Sequence, residues 1–176
     1  MGRKILIVLL AIVFLLVVVS LFMPNQFYSE RTVTIKAPVS VVYNQINTLR
    51  NRESWDPWKK MDATLKITYN QIPSGEGASY SWVGESKYTG KGKITITKSV
   101  VNELVVSDLE FGGRAGAVSG FKLQPEGDST KVIWYFENDL GWNPMAKYMS
   151  KIMGGMMSDM FDSGLQDLKK VCENHT

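Results

Sequence analysis

The sequence predicts an α+β domain in which seven antiparallel strands surround a long C-terminal helix, preceded by one transmembrane helix. Three observations predict this class: an unbroken apolar run at 5–23, consecutive short strand patterns between 65 and 139, and a helical apolar stripe after 143. Strand patterns that follow one another without helices between them are typical of an antiparallel meander. We therefore expect a membrane anchor at 1–28 and one folded domain at 29–176.

The apolar run is the first element. Its only polar residue is Ser20, and as a helix it would be about 28 Å long, close to a hydrocarbon core of about 30 Å. A cleaved signal peptide is the alternative, but its apolar core is usually only about 7–15 residues long and ends in small residues. Here 20–23 reads Ser-Leu-Phe-Met before Pro24. We therefore expect an uncleaved single-pass anchor.

Arg3 and Lys4 precede the apolar run, whereas the other flank mixes basic and acidic residues. The positive-inside bias predicts a cytoplasmic N-terminus and a domain outside the cytoplasm. Without these two residues, the chain contains 18 basic and 17 acidic residues. A domain so close to neutral does not indicate a nucleic-acid partner. Aromatic residues make up 11% and charged residues 21% of the chain, and this composition excludes an intrinsically disordered chain.

The domain begins with a strand pattern at 31–36, where apolar and polar residues alternate. Pro38 then opens a helix, since proline is tolerated in a first turn, and an apolar stripe follows at helical spacing. Residues 51–61 carry Trp55 and Trp58 around Pro57, which predicts a short helix or turn that packs two indoles.

Six further strand patterns follow, most of them separated by Gly-, Pro- or Asp-containing turns. They are 65–70, 78–83, 91–98, 103–111, 119–124 and 131–139. By strand parity Trp134 and Phe136 share one face, which we expect to line a cavity. The last element is a helix from 143 to about 171 with methionines along one face, and Gly154-Gly155 predicts a kink or a close approach in it.

Four motifs resemble known ones. They are the opening Ile35-Lys36-Ala37-Pro38 with Tyr43, the paired indoles in Trp55-Asp56-Pro57-Trp58, the strand Gly75-Glu76-Gly77-Ala78 with Tyr80 and Trp82, and the closing Thr130-Lys131-Val132 with Trp134. Together they resemble the polyketide cyclase/dehydrase and lipid-transport type of the START-like (SRPBCC) superfamily, over residues 30 to 172. The resemblance is also to small bacterial members with an N-terminal anchor.

The resemblance implies a helix-grip fold, in which the sheet curves around the long helix and leaves a hydrophobic cavity between them. It implies that 29–176 is a START-like ligand-binding domain. It does not name a function, because this superfamily contains lipid carriers, cyclases, hormone binders and chaperone activators.

Residues suited to catalysis are few. His175 is the only histidine and lies at the C-terminal end, and Cys172 is the only cysteine, so the usual zinc sites are not expected. No nucleophile elbow, Walker or dinucleotide motif is present, and we expect no cofactor. The polar candidates for cyclase chemistry are Tyr80, Tyr135, Glu137 and Tyr148.

The predicted ligand site is therefore aromatic and sulfur-rich, and methionine suits an adaptable apolar pocket. It comprises Trp55, Trp58, Tyr80, Trp82, Phe111, Phe121, Trp134, Phe136, Met149, Met153 and Met157. A solid core built from the same side chains is equally compatible with the pattern. The first hypothesis is a membrane-anchored module that binds a lipid, quinone or polyketide-like ligand. The alternatives are a cyclase/dehydratase-type enzyme and a chaperone-activator-like interaction domain, and the oligomeric state is open.

Overall fold

The computed structural model describes residues 2–85 and 89–174, and the side chains of all of these except 114, 115 and 153. The first helix, α1 (Gly2–Leu21), is long and apolar enough to cross a membrane, with a mean hydropathy of 3.2 over an 18-residue stretch. Only 6% of that stretch is buried in the protein. A core helix would be largely covered by the domain, so α1 is not part of the domain core.

The predicted fold class is confirmed. Seven antiparallel strands form one sheet in the order β1-β7-β6-β5-β4-β3-β2. The strands are β1 (Gln26–Ile35), β2 (Lys66–Tyr69), β3 (Ser79–Val83), β4 (Lys91–Val100), β5 (Leu104–Phe111), β6 (Arg114–Glu126) and β7 (Ser129–Asp139). Consecutive strands from β2 to β7 are neighbours, as in a meander, and β1 closes the sheet beside β7.

Two strands are longer than their patterns. β1 begins at Gln26. Residues 26–28, which the sequence predicts to belong to the anchor segment, pair with residues Asp139 to Glu137 of β7. The alternation of half-buried and exposed positions continues back through Phe27, so the strand pattern starts before Arg31. β6 begins at Arg114 because it forms a hairpin with β5 across Gly112 and Gly113, both of which have positive φ.

The helices cover one face of the sheet. α2 (Val39–Asn47) buries Val42 and Ile46, and a 3₁₀ turn (Asn51–Ser54) leads into α3 (Pro57–Met61). The long helix α4 (Pro144–Glu173) begins at the N-cap Asn143, whose side chain accepts a hydrogen bond from the Ala146 amide (3.3 Å).

α4 contributes to the core mainly with its C-terminal half. Its core residues, all at most 8% exposed, are Met157, Met160, Phe161, Leu165, Leu168 and Cys172. The helix continues through Gly154 and Gly155. A Cβ atom on Gly154 would lie 3.4 Å from the ring of Phe27 on β1. This distance is an ordinary van der Waals contact and Gly155 has no neighbour within 4 Å, so the close approach is limited to Gly154 and Phe27.

Candidate ligand-binding pocket

The centre of the space between sheet and α4 is filled by stacked rings. Trp134 of β7 stacks between Phe121 of β6 and Phe161 of α4, with ring centroids 4.9 and 4.3 Å away. Trp55 packs edge-on against the Trp134 ring at 6.0 Å. The Trp134 indole donates a hydrogen bond to the Ser119 hydroxyl (2.9 Å). These rings form a packed core, so the cavity lies to one side of them.

That cavity lies between β3, β4 and β5 on one side and the 3₁₀ turn and α3 on the other. It has a volume of about 80 Å³. Five of the predicted ligand-binding residues line it: Trp58, Tyr80, Trp82, Phe111 and Trp134. Leu65, Ile94 and Leu109 add aliphatic surface to the wall. A space of this size suits one ring or the end of a chain.

Trp82 forms a wall of the pocket because Gly92 lies opposite it in the neighbouring strand. A Cβ atom at Gly92 would come within 3.0 Å of the Trp82 indole, so the ring lies across bare backbone. The Trp82 indole also donates a hydrogen bond to the carbonyl of Thr89 (3.1 Å) and packs edge-on against Phe111 (5.7 Å). Phe111 is exposed and marks the mouth of the pocket.

The polar wall of the pocket contains a buried guanidinium. Arg52 is 4% exposed, and its Nε donates a hydrogen bond to the carbonyl of Ile46 (2.8 Å). Its Cζ lies 5.3 Å from the centroid of the Phe121 ring. Among the described residues, Nη2 has no hydrogen-bond acceptor. Burial lowers the pKa of Arg52, but arginine remains protonated in proteins, so a positive charge borders the pocket.

Asp56 lies beside this guanidinium without pairing with it. Its Oδ1 accepts a hydrogen bond from the amide of Trp58 (3.0 Å) and caps α3, and no ion pair joins it to Arg52. Burial raises the pKa of Asp56 to about 6, against the lowering effects of the Trp58 amide and Arg52. Burial likewise raises the pKa of the Tyr80 hydroxyl. The pocket therefore offers a cation, a carboxyl group and a neutral hydroxyl on an aromatic lining.

The other predicted ligand-binding residues do not line this pocket. Trp55, Phe121, Phe136 and Met157 are buried in the packed core. Met149 is exposed on the first half of α4, away from the core. The side chain of Met153 lies outside the part of the structure that is described.

Of the four polar candidates, Tyr80 alone lines the pocket. Tyr135 stacks on Tyr28 (6.4 Å) on the opposite face of the sheet, and Glu137 is exposed. The Tyr148 hydroxyl donates a hydrogen bond to the carbonyl of Leu16 in α1 (2.8 Å). His175 lies outside the described residues.

Arg52 and Asp56 were not identified from the sequence. Both lie in a segment of mixed polar and aromatic residues, Asn51-Arg52-Glu53-Ser54-Trp55-Asp56, which resembles an exposed turn. The available signal for a buried arginine was its position three residues before Trp55, because the turn that buries Trp55 also brings Arg52 under the sheet.

An antiparallel sheet around a long C-terminal helix, with a lined pocket between sheet and helices, defines the helix-grip class of ligand-binding domains. Residues 26–173 match the family described as "Polyketide cyclase / dehydrase and lipid transport", and the chain belongs to this family.

Solved structures share the fold at low sequence identity. They include a protein of unknown function, SA2116, from Staphylococcus aureus (16% identity, 86% of this chain and 97% of that one, TM-score 0.61). The Aha1 dimer from Colwellia psychrerythraea is similar at 17% identity (83% and 96%, TM-score 0.59). So is protein CV1439 from Chromobacterium violaceum at 15% (85% and 99%, TM-score 0.57). No curated protein matches the chain.

Proposed function

We propose that the chain is a membrane-anchored binding module that holds one end of an apolar ligand in this pocket, with a ligand oxygen beside Arg52. The observation that carries the proposal is a buried guanidinium with an unpaired Nη2 next to an aromatic cavity. A buried polar group without a hydrogen-bond partner is costly, by about 1–3 kcal/mol. A ligand carboxylate, phenolate or carbonyl oxygen would supply the missing acceptor.

The lining supports an apolar skeleton for the rest of the ligand. Trp58, Trp82 and Phe111 offer ring faces and edges, and Leu65 and Leu109 offer aliphatic contacts. The cavity volume of about 80 Å³ accommodates one ring or chain end, and a longer molecule would extend past Phe111 at the mouth. Lipids, quinones and polyketide-like molecules all combine such a skeleton with oxygen atoms.

Contacts between α1 and the domain support a retained anchor over a cleaved signal peptide. Lys147 of α4 is 1% exposed, and its Nζ donates hydrogen bonds to the carbonyls of Ser20 (2.9 Å) and Met23 (3.2 Å). These carbonyls lie at the C-terminal end of α1, where a cation is stabilising. Cleavage beyond the helix would remove both acceptors and leave the ammonium without them.

The basic flank at Arg3 and Lys4 supports a domain outside the cytoplasm. A periplasmic phosphatase reporter fused to the C-terminus of the full chain should be active, and a matched cytoplasmic reporter should be silent. The reverse pattern would overturn this orientation and favour the chaperone-activator-like alternative.

The binding proposal is tested with the full chain in lipid nanodiscs, using empty nanodiscs as the blank. The probes are 4-butylbenzoate and its neutral analogue 4-butylbenzyl alcohol, and binding is followed by calorimetry. Arg52→Met is compared with Arg50→Met, which removes an exposed arginine two residues away. A hydrogen bond to a charged group contributes about 1.5–3 kcal/mol, so Arg52→Met should weaken the acid probe about 10- to 100-fold.

The neutral probe should lose less affinity, and Arg50→Met should leave both probes unchanged. Equal effects of the two arginine variants on the acid would refute the role of Arg52. Failure of wild type to bind either probe, together with no small molecule in an organic extract of the purified chain, would refute the binding module itself.

A further inference from the structure

The first half of α4 carries an apolar surface that the domain does not cover. We call it the α4 stripe, and with the neighbouring Trp142 its side chains are 40% to 74% exposed; its members are Met145, Met149, Ile152 and Met156. Their spacing of four, three and four residues places them on one side of the helix. Contiguous exposed apolar surface of this kind marks an interaction site.

The charges within the first half of α4 have one sign. Residues 144–158 contain Lys147 and Lys151 and no acidic residue, and Asp159 is the first acidic residue of the helix. Lys147 is buried against α1, which leaves Lys151 as the exposed charge beside the stripe. An apolar helix face flanked by lysine is typical of helices that lie in the interface of a bilayer.

The same turns of α4 are fixed to α1. Lys147 binds the carbonyls at the end of α1, and the Tyr148 hydroxyl binds the carbonyl of Leu16. Tyr148 lies next to Met149 in sequence and one helical turn from Met145 and Ile152. The stripe therefore continues directly from the surface of the apolar helix.

The contact with Leu16 sets the depth of the stripe relative to α1. Leu16 precedes the last residue of α1, Leu21, by about 7.5 Å of helix rise. The apolar run is about as long as the hydrocarbon core is thick, so α1 cannot slide outward by that distance without exposing apolar side chains to water. Tyr148 and the adjacent stripe consequently lie about 5–10 Å into the bilayer boundary, the depth of interfacial helices.

We propose that the α4 stripe and Trp142 form an interfacial membrane-binding surface that seats the domain against the lipid bilayer. This inference rests on the membrane anchorage in the proposed function, and it adds a second contact between the domain and the membrane. The occupant is the bilayer itself because the stripe is continuous with the helix that crosses it.

The experiment places a fluorescent NBD group on the full chain in phosphatidylcholine/phosphatidylglycerol vesicles. Ile152→Cys is compared with Val101→Cys, a similarly exposed apolar residue (73% and 69%) in the turn between β4 and β5. Cys172 is fully buried, and unsubstituted protein treated with the reagent provides the blank. Quenching by doxyl-labelled lipids should be several-fold stronger at position 152, and its emission should shift to the blue.

Carbonate extraction of the same vesicles separates failure of the anchor from failure of the stripe. A chain that stays in the vesicles while position 152 is quenched no more than position 101 would overturn the stripe as a membrane surface. Blue-shifted emission at 152 without lipid quenching, together with cross-linking of Ile152→Cys between two copies, would also overturn it, in favour of dimerisation. A chain released by carbonate would instead refute the anchor on which the inference rests.

Discussion

Replacing Gly92 with alanine should damage the pocket through Trp82. The new Cβ would lie within 3.0 Å of the Trp82 indole and of the Glu110 carbonyl, where ordinary contacts begin near 3.4 Å. The carbonyl belongs to β5, which pairs with β4 and yields little, so β4 has to shift locally at position 92 and the indole has to move as well. Movement of the ring would weaken its hydrogen bond to the Thr89 carbonyl and bring it into the cavity.

The magnitude follows from three terms. Overpacking costs about 1–3 kcal/mol, and the weakened hydrogen bond costs about 0.5–1.5 kcal/mol. Alanine in a strand recovers about 0.5–1 kcal/mol of the conformational penalty of glycine. The net expectation is a loss of about 1–3 kcal/mol in the free energy of unfolding, measured by urea denaturation. A change of one methylene in an apolar pocket alters the binding affinity by about tenfold or more. Both 4-butylbenzoate and 4-butylbenzyl alcohol should therefore bind at least that much more weakly.

Gly120→Ala is the matched control. A Cβ at Gly120 would also come within 3.0 Å of an aromatic ring, that of Tyr135, but on the opposite face of the sheet. It should lower stability by no more than Gly92→Ala does, because the three nearest atoms to its new Cβ all belong to the Tyr135 ring, and it should leave probe affinity unchanged. If both variants weakened binding equally, the affinity would depend on global stability and not on the position of Trp82. Unchanged binding in Gly92→Ala would remove Trp82 from the ligand site.

Three other variants test the pocket and the helix. Burial raises the pKa of Asp56 to about 6, so the stability that its proton contributes is fully present below about pH 4 and is lost as the pH rises through about 6. The free energy of unfolding should fall over that window, and Asp56→Asn, which keeps a capping side chain, should flatten the profile. An unchanged pH profile in Asp56→Asn would assign the titration elsewhere. Gly164→Ala should lower the urea midpoint of unfolding, because its Cβ would lie 2.8 Å from Trp134 and 2.9 Å from Pro57. Gly155→Ala has no neighbour within 4 Å, so its free energy of unfolding should rise by up to about 1 kcal/mol through helix propensity. Equal shifts in the two variants would contradict the packing argument.

The sheet was predictable because its signals are local. The alternation in β7 places Val132, Trp134 and Phe136 on the buried face, as the sequence predicted from a period of two. Turn residues separated the strands, and a meander needs no long-range information about strand order. The interpretation of the fold from pattern and resemblance was therefore confirmed.

The content of the site was less predictable because it depends on contacts between distant segments. Met149 and Met157 belong to the same sequence pattern, but Met157 is buried in the core and Met149 is exposed beside α1. Periodicity identifies the apolar side of a helix without showing how much of it the sheet covers. Arg52 is buried because its turn docks under Phe121, and only its spacing of three residues from Trp55 distinguishes that arginine from the exposed Arg50.

The mouth of the pocket and the anchor lie at the same end of the strand ladder. The register connects them step by step: Gln26 pairs with Asp139, Asn138 with Ala117, Ala117 with Leu109, and Phe111 with Gly92. β1 enters the sheet directly from α1 at that end, and Phe111 forms the pocket mouth there. In the proposed membrane-anchored module, a ligand that left the bilayer beside α1 would therefore not have to pass the far end of the domain. An anchor at that end shortens the path, whereas an anchor at the β4–β5 turn would place the full length of the sheet between membrane and mouth.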